Sequence, residues 1–136
     1  MQYELREGVP SVSDYINIRL KAGLSRKSEE AAEIGLSNSI FSVVAYFNNL
    51  PIGIGRVIGD GGCFFEITDM AVLPEHQKKG VGALIMESLV NYLHSNAPST
   101  AYVSLMADHG TPHFYQKYGF TLSKMPKSSG MYMHIK

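Results

Sequence analysis

Asp69-Met70-Ala71-Val72-Leu73-Pro74-Glu75-His76-Gln77-Lys78-Lys79-Gly80-Val81-Gly82-Ala83 is the stretch on which the fold turns. An apolar strand runs into a proline, a short polar turn follows, and Gln77-x-x-Gly80-x-Gly82 opens into an amphipathic helix. Backbone N–H groups at a helix start have no intrahelical partners, and with the helix dipole they form an anion site. Gly80 and Gly82 keep side chains out of the way of a ligand there. The expected ligand group is a phosphate or pyrophosphate. Two other phosphate loops fail on spacing. A Walker loop needs Gly-x-x-x-x-Gly-Lys-Ser/Thr, which does not occur, and a Rossmann fingerprint needs a third glycine where Ile85 stands.

Downstream, Pro112-His113-Phe114-Tyr115-Gln116-Lys117-Tyr118-Gly119-Phe120 reads as a short helix closed by Gly119, followed by a strand from Phe120. Together the two segments resemble the GNAT N-acetyltransferase superfamily. Gln77, Gly80 and Gly82 stand at the defined positions of its acyl-CoA pyrophosphate loop, Gln/Arg-x-x-Gly-x-Gly/Ala. Lys78 stands where many members carry a further glycine. Tyr115 matches the family's aromatic-Tyr-x-x-x-Gly-Phe element, whose tyrosine hydroxyl faces the sulfur of CoA. The resemblance covers Cys63–Phe120, with both elements in the family's order, and is weak before it.

This resemblance implies an α/β fold, with residues 1–136 forming a single N-acetyltransferase domain. Its mixed central sheet would have six or seven strands, two of them parallel and splayed, flanked by about four helices. It implies acetyl-CoA as co-substrate, with Gln77, Lys78, Lys79, Gly80, Val81, Gly82 and Ala83 around the pyrophosphate. Backbone N–H groups at Met70, Ala71 and Val72 would grip the pantetheine and the thioester carbonyl, and Tyr115 would face the leaving sulfur.

Composition sets limits around that reading. With 136 residues the chain is of one-domain size and can bury a core without disulfides. Twelve basic residues balance twelve acidic ones, so no overall field steers it toward nucleic acid or an anionic membrane. The single cysteine, Cys63, excludes an internal disulfide and suits a reducing compartment. No apolar run approaches the roughly 20 residues needed to span a bilayer, and the N-terminus lacks a signal pattern, so a cytoplasmic location is expected.

Outward from the loop the elements read as follows. Gln2–Arg6 is an edge strand. Ser11 to Asp14 offers caps to a helix carrying Tyr15, Ile16, Ile18, Leu20 and Leu24, and Ser28–Ser39 is a second helix. Phe41–Phe47 and Ile52–Ile58 are strands joined by the Asn48-Asn49-Leu50-Pro51 turn. Gly53 and Gly55 leave one face of the second strand bare, which points to a bulge or a close backbone approach. Cys63–Leu73 is the central strand, Gly80–Ser95 the long helix and Ala101–Ala107 the next strand, so a right-handed crossover joins two parallel strands.

Acetyl transfer to an amine needs a held acyl donor, a polarised carbonyl and a neutral amine. The central strand carries Glu66, Thr68 and Asp69 among apolar neighbours, where a carboxylate is costly unless paired or beside a solvated cleft. Alternation sets Glu66, Thr68 and Met70 on one face and Ile67, Asp69 and Ala71 on the other, unless a bulge resets the parity. Some family members place a base at the position of Glu66 or Thr68, so Glu66 is the first candidate for the base, acting directly or through water. Its bland alternative is a pairing with Arg56. Asp69 is expected to cap a turn or hold a structural hydrogen bond, and Asp69, His109 and bulk water remain the alternative proton acceptors. Tyr115 is the candidate acid, because a thiol with a pKa of about 8.5 needs little help from a phenol near 10. His109 borders the expected cleft, while His76 and His94 read as surface residues and His113 as solvated. No His, Cys and Asp cluster has metal-ligand spacing, so no metal is expected.

The expected acceptor is a small-molecule amine, set by Leu24–Lys27, the Asn48–Pro51 turn and the Met125–Met133 segment. A peptide or protein amine is the alternative acceptor, and an idle acyl-CoA-binding module is the alternative to an enzyme. Lys78-Lys79 alone does not make a nucleic-acid face, and no membrane partner is expected. A homodimer is admitted as an assembly.

Overall fold

Serine caps begin the first two helices. Ser11 Oγ accepts from the Asp14 N–H at 3.1 Å, and Ser28 Oγ accepts from the Ala31 N–H at 3.1 Å. Each satisfies an N–H that the helix ladder cannot. The computed structural model describes residues 3–107, 111–123 and 130–135. It forms two compact units, Met1–Leu105 and Met106–Lys136.

The first unit holds β1 (Tyr3–Glu7), α1 (Val12–Lys21), α2 (Glu29–Ser37), β2 (Phe41–Phe47), β3 (Leu50–Gly59), β4 (Phe64–Val72), a 3-10 turn at Pro74–His76, α3 (Val81–Asn96) and β5 (Tyr102–Ser104). The second holds α4 (Pro112–Gln116). The strands lie in the order β1-β2-β3-β4-β5, antiparallel except for the parallel β4–β5 pair, so the expected mixed sheet and crossover are present. Asn48 and Asn49, with φ of 51° and 64°, make the left-handed two-residue turn that joins β2 to β3.

Three expectations of the sheet change. The described residues form five strands rather than six or seven. Phe120–Ser123, expected to be a strand, joins no ladder among the described residues, and strand propensity without a partner makes no strand. β5 is also shorter than Ala101–Ala107, because its pairing with β4 covers only Phe64–Glu66 against Tyr102–Ser104.

The helices sandwich the sheet. On one face Tyr15, Ile18, Ala32 and Leu36 of α1 and α2 pack with Val44, Ile54 and Ala71. On the other, Val81, Ile85, Met86, Leu89 and Leu93 bury the inner stripe of α3, and Tyr92 stacks on Phe41 at 4.4 Å. Leu84 lies off that stripe and is exposed. Gly53 and Gly55 explain why α3 lies so close. A Cβ on Gly55 would stand 2.5 Å from Ile85 Cγ2, 3.0 Å from Met70 Sδ and 3.1 Å from Leu89 Cδ1.

One polar group sits inside the first face. Asp69 accepts from the Tyr15 hydroxyl at 2.8 Å and from Arg56 Nε at 2.8 Å through Oδ2, and from Arg19 through Oδ1. Arg56 also donates to Gly35 O at 2.9 Å and Ser39 Oγ at 2.7 Å, and Arg19 donates to Ser25 O at 2.8 Å. The cluster ties α1, the α1–α2 connection, the end of α2, β3 and β4 together. Arg56 therefore pairs with Asp69, and the pairing considered for Glu66 is overturned. Burial first, and the Asp69 carboxylate second, push the Tyr15 phenol up to about 12.

Two outcomes follow from this packing. Gly55→Ala is expected to destabilise the protein by about 1–3 kcal/mol, as overpacking does, and chemical denaturation measures it. For Tyr15, the unfolded phenol titrates near 10 while the folded one holds its proton to about 12. The stabilising contribution is complete below about pH 10 and is lost as pH rises through about 12. Tyr15→Phe should flatten that alkaline decline while costing roughly 1.5–3 kcal/mol at neutral pH for the lost bond to a charged group. Thermal midpoints of both proteins from neutral pH to about pH 12 check this.

Candidate functional site

The site is built on a change of phase in β4. Ahead of Asp69, the Tyr102 N–H donates to Cys63 O at 2.8 Å and the Asp60 N–H to Phe64 O at 3.1 Å. Odd-numbered residues thus direct their backbone groups to β5 and even-numbered ones to β3. Beyond Asp69 the pattern reverses. The Leu73 N–H donates to Ile52 O at 2.8 Å, and Val72 O accepts from Gln77 Nε2 at 2.9 Å.

The reversal is a β-bulge. Arg56 pairs with Thr68 and Ile54 with Ala71, so Asp69 and Met70 together oppose Gly55. Asp69 takes φ of 59°, in the left-handed region that Asp enters more readily than most residues. The expected alternation of side chains breaks here. Glu66, Thr68, Asp69 and Ala71 share the α1–α2 face, while Ile67 and Met70 face α3. For the backbone, Ala71 stands in the β3 ladder opposite Ile54, and Met70 and Val72 turn to the other edge. Among the described residues that edge has no ladder partner beyond Glu66, since the β5 ladder ends there opposite Ser104 while β4 continues to Val72. Of the three backbone positions expected at the thioester, Met70 and Val72 face the opening and Ala71 does not.

The glycine loop follows at once. Gln77 closes the turn by donating its side-chain amide to Val72 O, and Lys78, Lys79 and Gly80 are exposed. Lys78 has φ of 62° and Gly80 φ of 87°. Lys78 therefore adopts the backbone conformation that glycine enters freely, which reconciles the lysine with a position where many relatives of the loop carry glycine. A Cβ on Gly80 would meet nothing within 4 Å, so a glycine here leaves open space before α3. The helix ladder starts with the Leu84 N–H donating to Gly80 O at 3.1 Å, so the N–H groups of Val81 and Gly82 precede it and point out of the first turn. These groups fit an anion.

Glu66 is half-buried on β4, opposite Ile58 on one side and Ser104 on the other, and forms no ion pair among the described residues. Cys63 is exposed at the strand start. His76 departs from the surface reading. Its Nδ1 lies 2.7 Å from the Tyr3 hydroxyl and its ring packs on Phe47 at 5.0 Å, fastening the turn before the glycine loop to the β1–β2 edge. His94 is exposed in the last turn of α3.

Within the second unit, Tyr115 is half-buried on α4, its ring edge-on to Phe114 at 5.0 Å and to Phe120 at 6.5 Å. Gly119, with φ of 97°, follows the helix as expected. His113 is exposed, and His109 lies outside the described residues. Among the described residues no group of three or more His, Cys, Asp and Glu side chains gathers to hold a metal, and no helix is long and apolar enough to cross a membrane.

Reading the sequence misses Tyr15, Arg19 and Ser25 as part of this region. The signal for the first two was present. Tyr15 and Arg19 lie four apart on one helix face, and Asp69 needed a partner.

Residues 38–122 match the acetyltransferase (GNAT) domain family. An uncharacterized N-acetyltransferase of Pyropia yezoensis is 28% identical over 102 residues, 72% of this chain and 58% of that protein. The chain thus spans little more than half the length of that curated relative. A solved protein of unknown function from methicillin-resistant Staphylococcus aureus, called a probable acetyltransferase, is 42% identical with a TM-score of 0.92, over 98% of this chain and 100% of that one. A GNAT-family protein of Streptococcus pneumoniae shares the fold at 22% identity, with a TM-score of 0.79 over 99% of both chains. From the match across both units and the likeness to the Staphylococcus aureus protein, this chain belongs to the GNAT acetyltransferase family.

Proposed function

We propose that residues 1–136 act as one N-acetyltransferase domain that moves the acetyl group of acetyl-CoA to the primary amine of a small molecule, by direct attack in a ternary complex. The observation that carries this reading is the junction of β4 with the glycine loop. A strand edge bearing Met70 and Val72 runs past its last parallel partner straight into an exposed helix start at Gly80. The open edge suits an amide-bearing chain and a thioester carbonyl, and the helix start suits a pyrophosphate.

Each residue then has a task. N–H groups of Val81 and Gly82, with the loop from Gln77 to Ala83, hold the pyrophosphate, and Lys78 and Lys79 add positive charge beside it. Met70 and Val72 hold the pantetheine and polarise the carbonyl. Glu66 takes the proton of the attacking amine, directly or through a water, and its freedom from any ion pair among the described residues leaves its carboxylate able to do so. As the new carbon–nitrogen bond forms and the carbon–sulfur bond breaks, Tyr115 donates its phenolic proton to the departing thiolate. The balanced charge of the chain favours a small acceptor over a strongly basic protein tail, and the lone cysteine suits the cytoplasm. No metal enters this scheme.

Thiol release from acetyl-CoA across a panel of small amines and peptides tests the activity, alongside calorimetry of CoA binding. Wild type should release thiol with at least one small amine, and folded Gly80→Val should bind acetyl-CoA about tenfold or more weakly, about 1.4 kcal/mol. Binding without release from any acceptor would instead mark an idle acyl-CoA module. Unaltered affinity in Gly80→Val would remove the loop from the site.

Glu66→Gln separates a base from a structural carboxylate. At low pH the acceptor is mostly ammonium and needs its proton removed, so the variant should lose most rate there and recover toward the acceptor's own pKa. A pH–rate profile parallel to wild type would reject Glu66 as the base.

A further inference from the structure

We propose that Asp69 is a positioning residue. Its carboxylate, gripped by Tyr15, Arg19 and Arg56, locks the bulge that turns the Met70 and Val72 backbone groups onto the open edge of β4. The consequence for acetyl transfer rests on the function proposed above, while the lock itself does not.

The phase of β4 makes the case. In an unbroken strand, the order seen from Cys63 to Thr68 would continue. Met70 and Val72 would then join the β3 ladder and Ala71 would face the opening. One inserted residue exchanges these roles. That residue is Asp69, the bulge member with positive φ, and its side chain is held from two elements at once, α1 and β3. Oδ1 accepts from Arg19 of α1; Oδ2 accepts from Tyr15 of α1 at 2.8 Å and Arg56 of β3 at 2.8 Å. With both oxygens engaged, the carboxylate cannot turn without breaking a buried ion pair.

The anchors are themselves anchored. Arg19 is tied to Ser25 O at 2.8 Å and Ser25 Oγ at 3.0 Å, and Arg56 to Gly35 O at 2.9 Å and Ser39 Oγ at 2.7 Å. Asp69, Arg19 and Arg56 are all buried. A slip of the strand by one position would pull the carboxylate out of this set and send Ala71 to the opposite face. The clamp therefore selects one backbone phase.

Asp69→Asn and Asp69→Gly test this by amide hydrogen exchange and by kinetics. Glycine adopts the left-handed conformation freely but has no carboxylate, so it separates the clamp from the backbone preference. In wild type the Ala71 amide, in the β3 ladder, should exchange slowly while those of Met70 and Val72 exchange fast. In both variants this contrast should shrink by about tenfold or more. The kcat per folded molecule should fall about tenfold or more, and the affinity for CoA should fall with it, since Met70 and Val72 would no longer meet the pantetheine.

Wild-type contrast in folded Asp69→Gly overturns the proposal, because the bulge would then stand without the carboxylate. So does a variant that loses only thermal stability and keeps wild-type contrast and kcat per folded molecule. Should both fail to fold, Tyr15→Phe removes one donor and keeps the ring in the core. Its contrast should shrink about threefold, and no change there overturns the proposal. If wild type releases no thiol from acetyl-CoA, the proposed activity falls, and amide exchange alone still decides for or against the clamp.

Discussion

Burying a carboxylate between two guanidiniums and a phenol is the constraint around which this protein is arranged. Asp69 is buried away from bulk solvent, so the charge stands only because Arg19, Arg56 and Tyr15 surround it. Such a pair contributes little net stability compared with a well-packed apolar core, yet removing one member costs about 3–5 kcal/mol because the other charge is stranded. The second arginine leaves an excess of positive charge, which the Gly35 and Ser25 carbonyls disperse. A cluster of this kind penalises every arrangement of α1, α2, β3 and β4 except one.

The opposite face of the sheet works by shape. Gly53 and Gly55 bring α3 down onto β3, where Ile85 and Leu89 fill the space that side chains would occupy. Because α3 begins at the glycine loop, this close packing also places the helix start beside the end of β4. The polar clamp on one face and the glycine-lined seat on the other grip the same short run, Thr68 to Leu73, from both sides. That run leads into the turn held by the Gln77 bond to Val72 O and by the His76 contact with Tyr3.

The local elements of this architecture are legible from residue to residue. Ser11 and Ser28 mark helix starts because a hydroxyl at that point meets a free N–H. Asn48-Asn49 marks a tight turn because asparagine tolerates positive φ. The strand–turn–glycine–helix order from Asp69 to Ala83 announces an anion site because helix starts expose N–H groups whatever surrounds them. Pro112 to Gly119 announces a short closed helix for equally local reasons.

What the sequence by itself determined is therefore the helices and most of the strands, the crossover, the glycine loop and the family. All of these are written in periodicity, caps and turn residues a few positions apart. Only the tertiary structure decided the partner of Asp69, the freedom of Glu66 from Arg56, the half-burial of His76 and which backbone groups of β4 face the opening. Tyr15 and Arg19 lie 54 and 50 residues before Asp69, and no local rule couples such distances. The bulge is the sharpest case. A single residue with φ of 59° exchanges the roles of Met70, Ala71 and Val72, and its carboxylate is gripped by polar partners gathered from α1 and β3 rather than by anything in the strand itself.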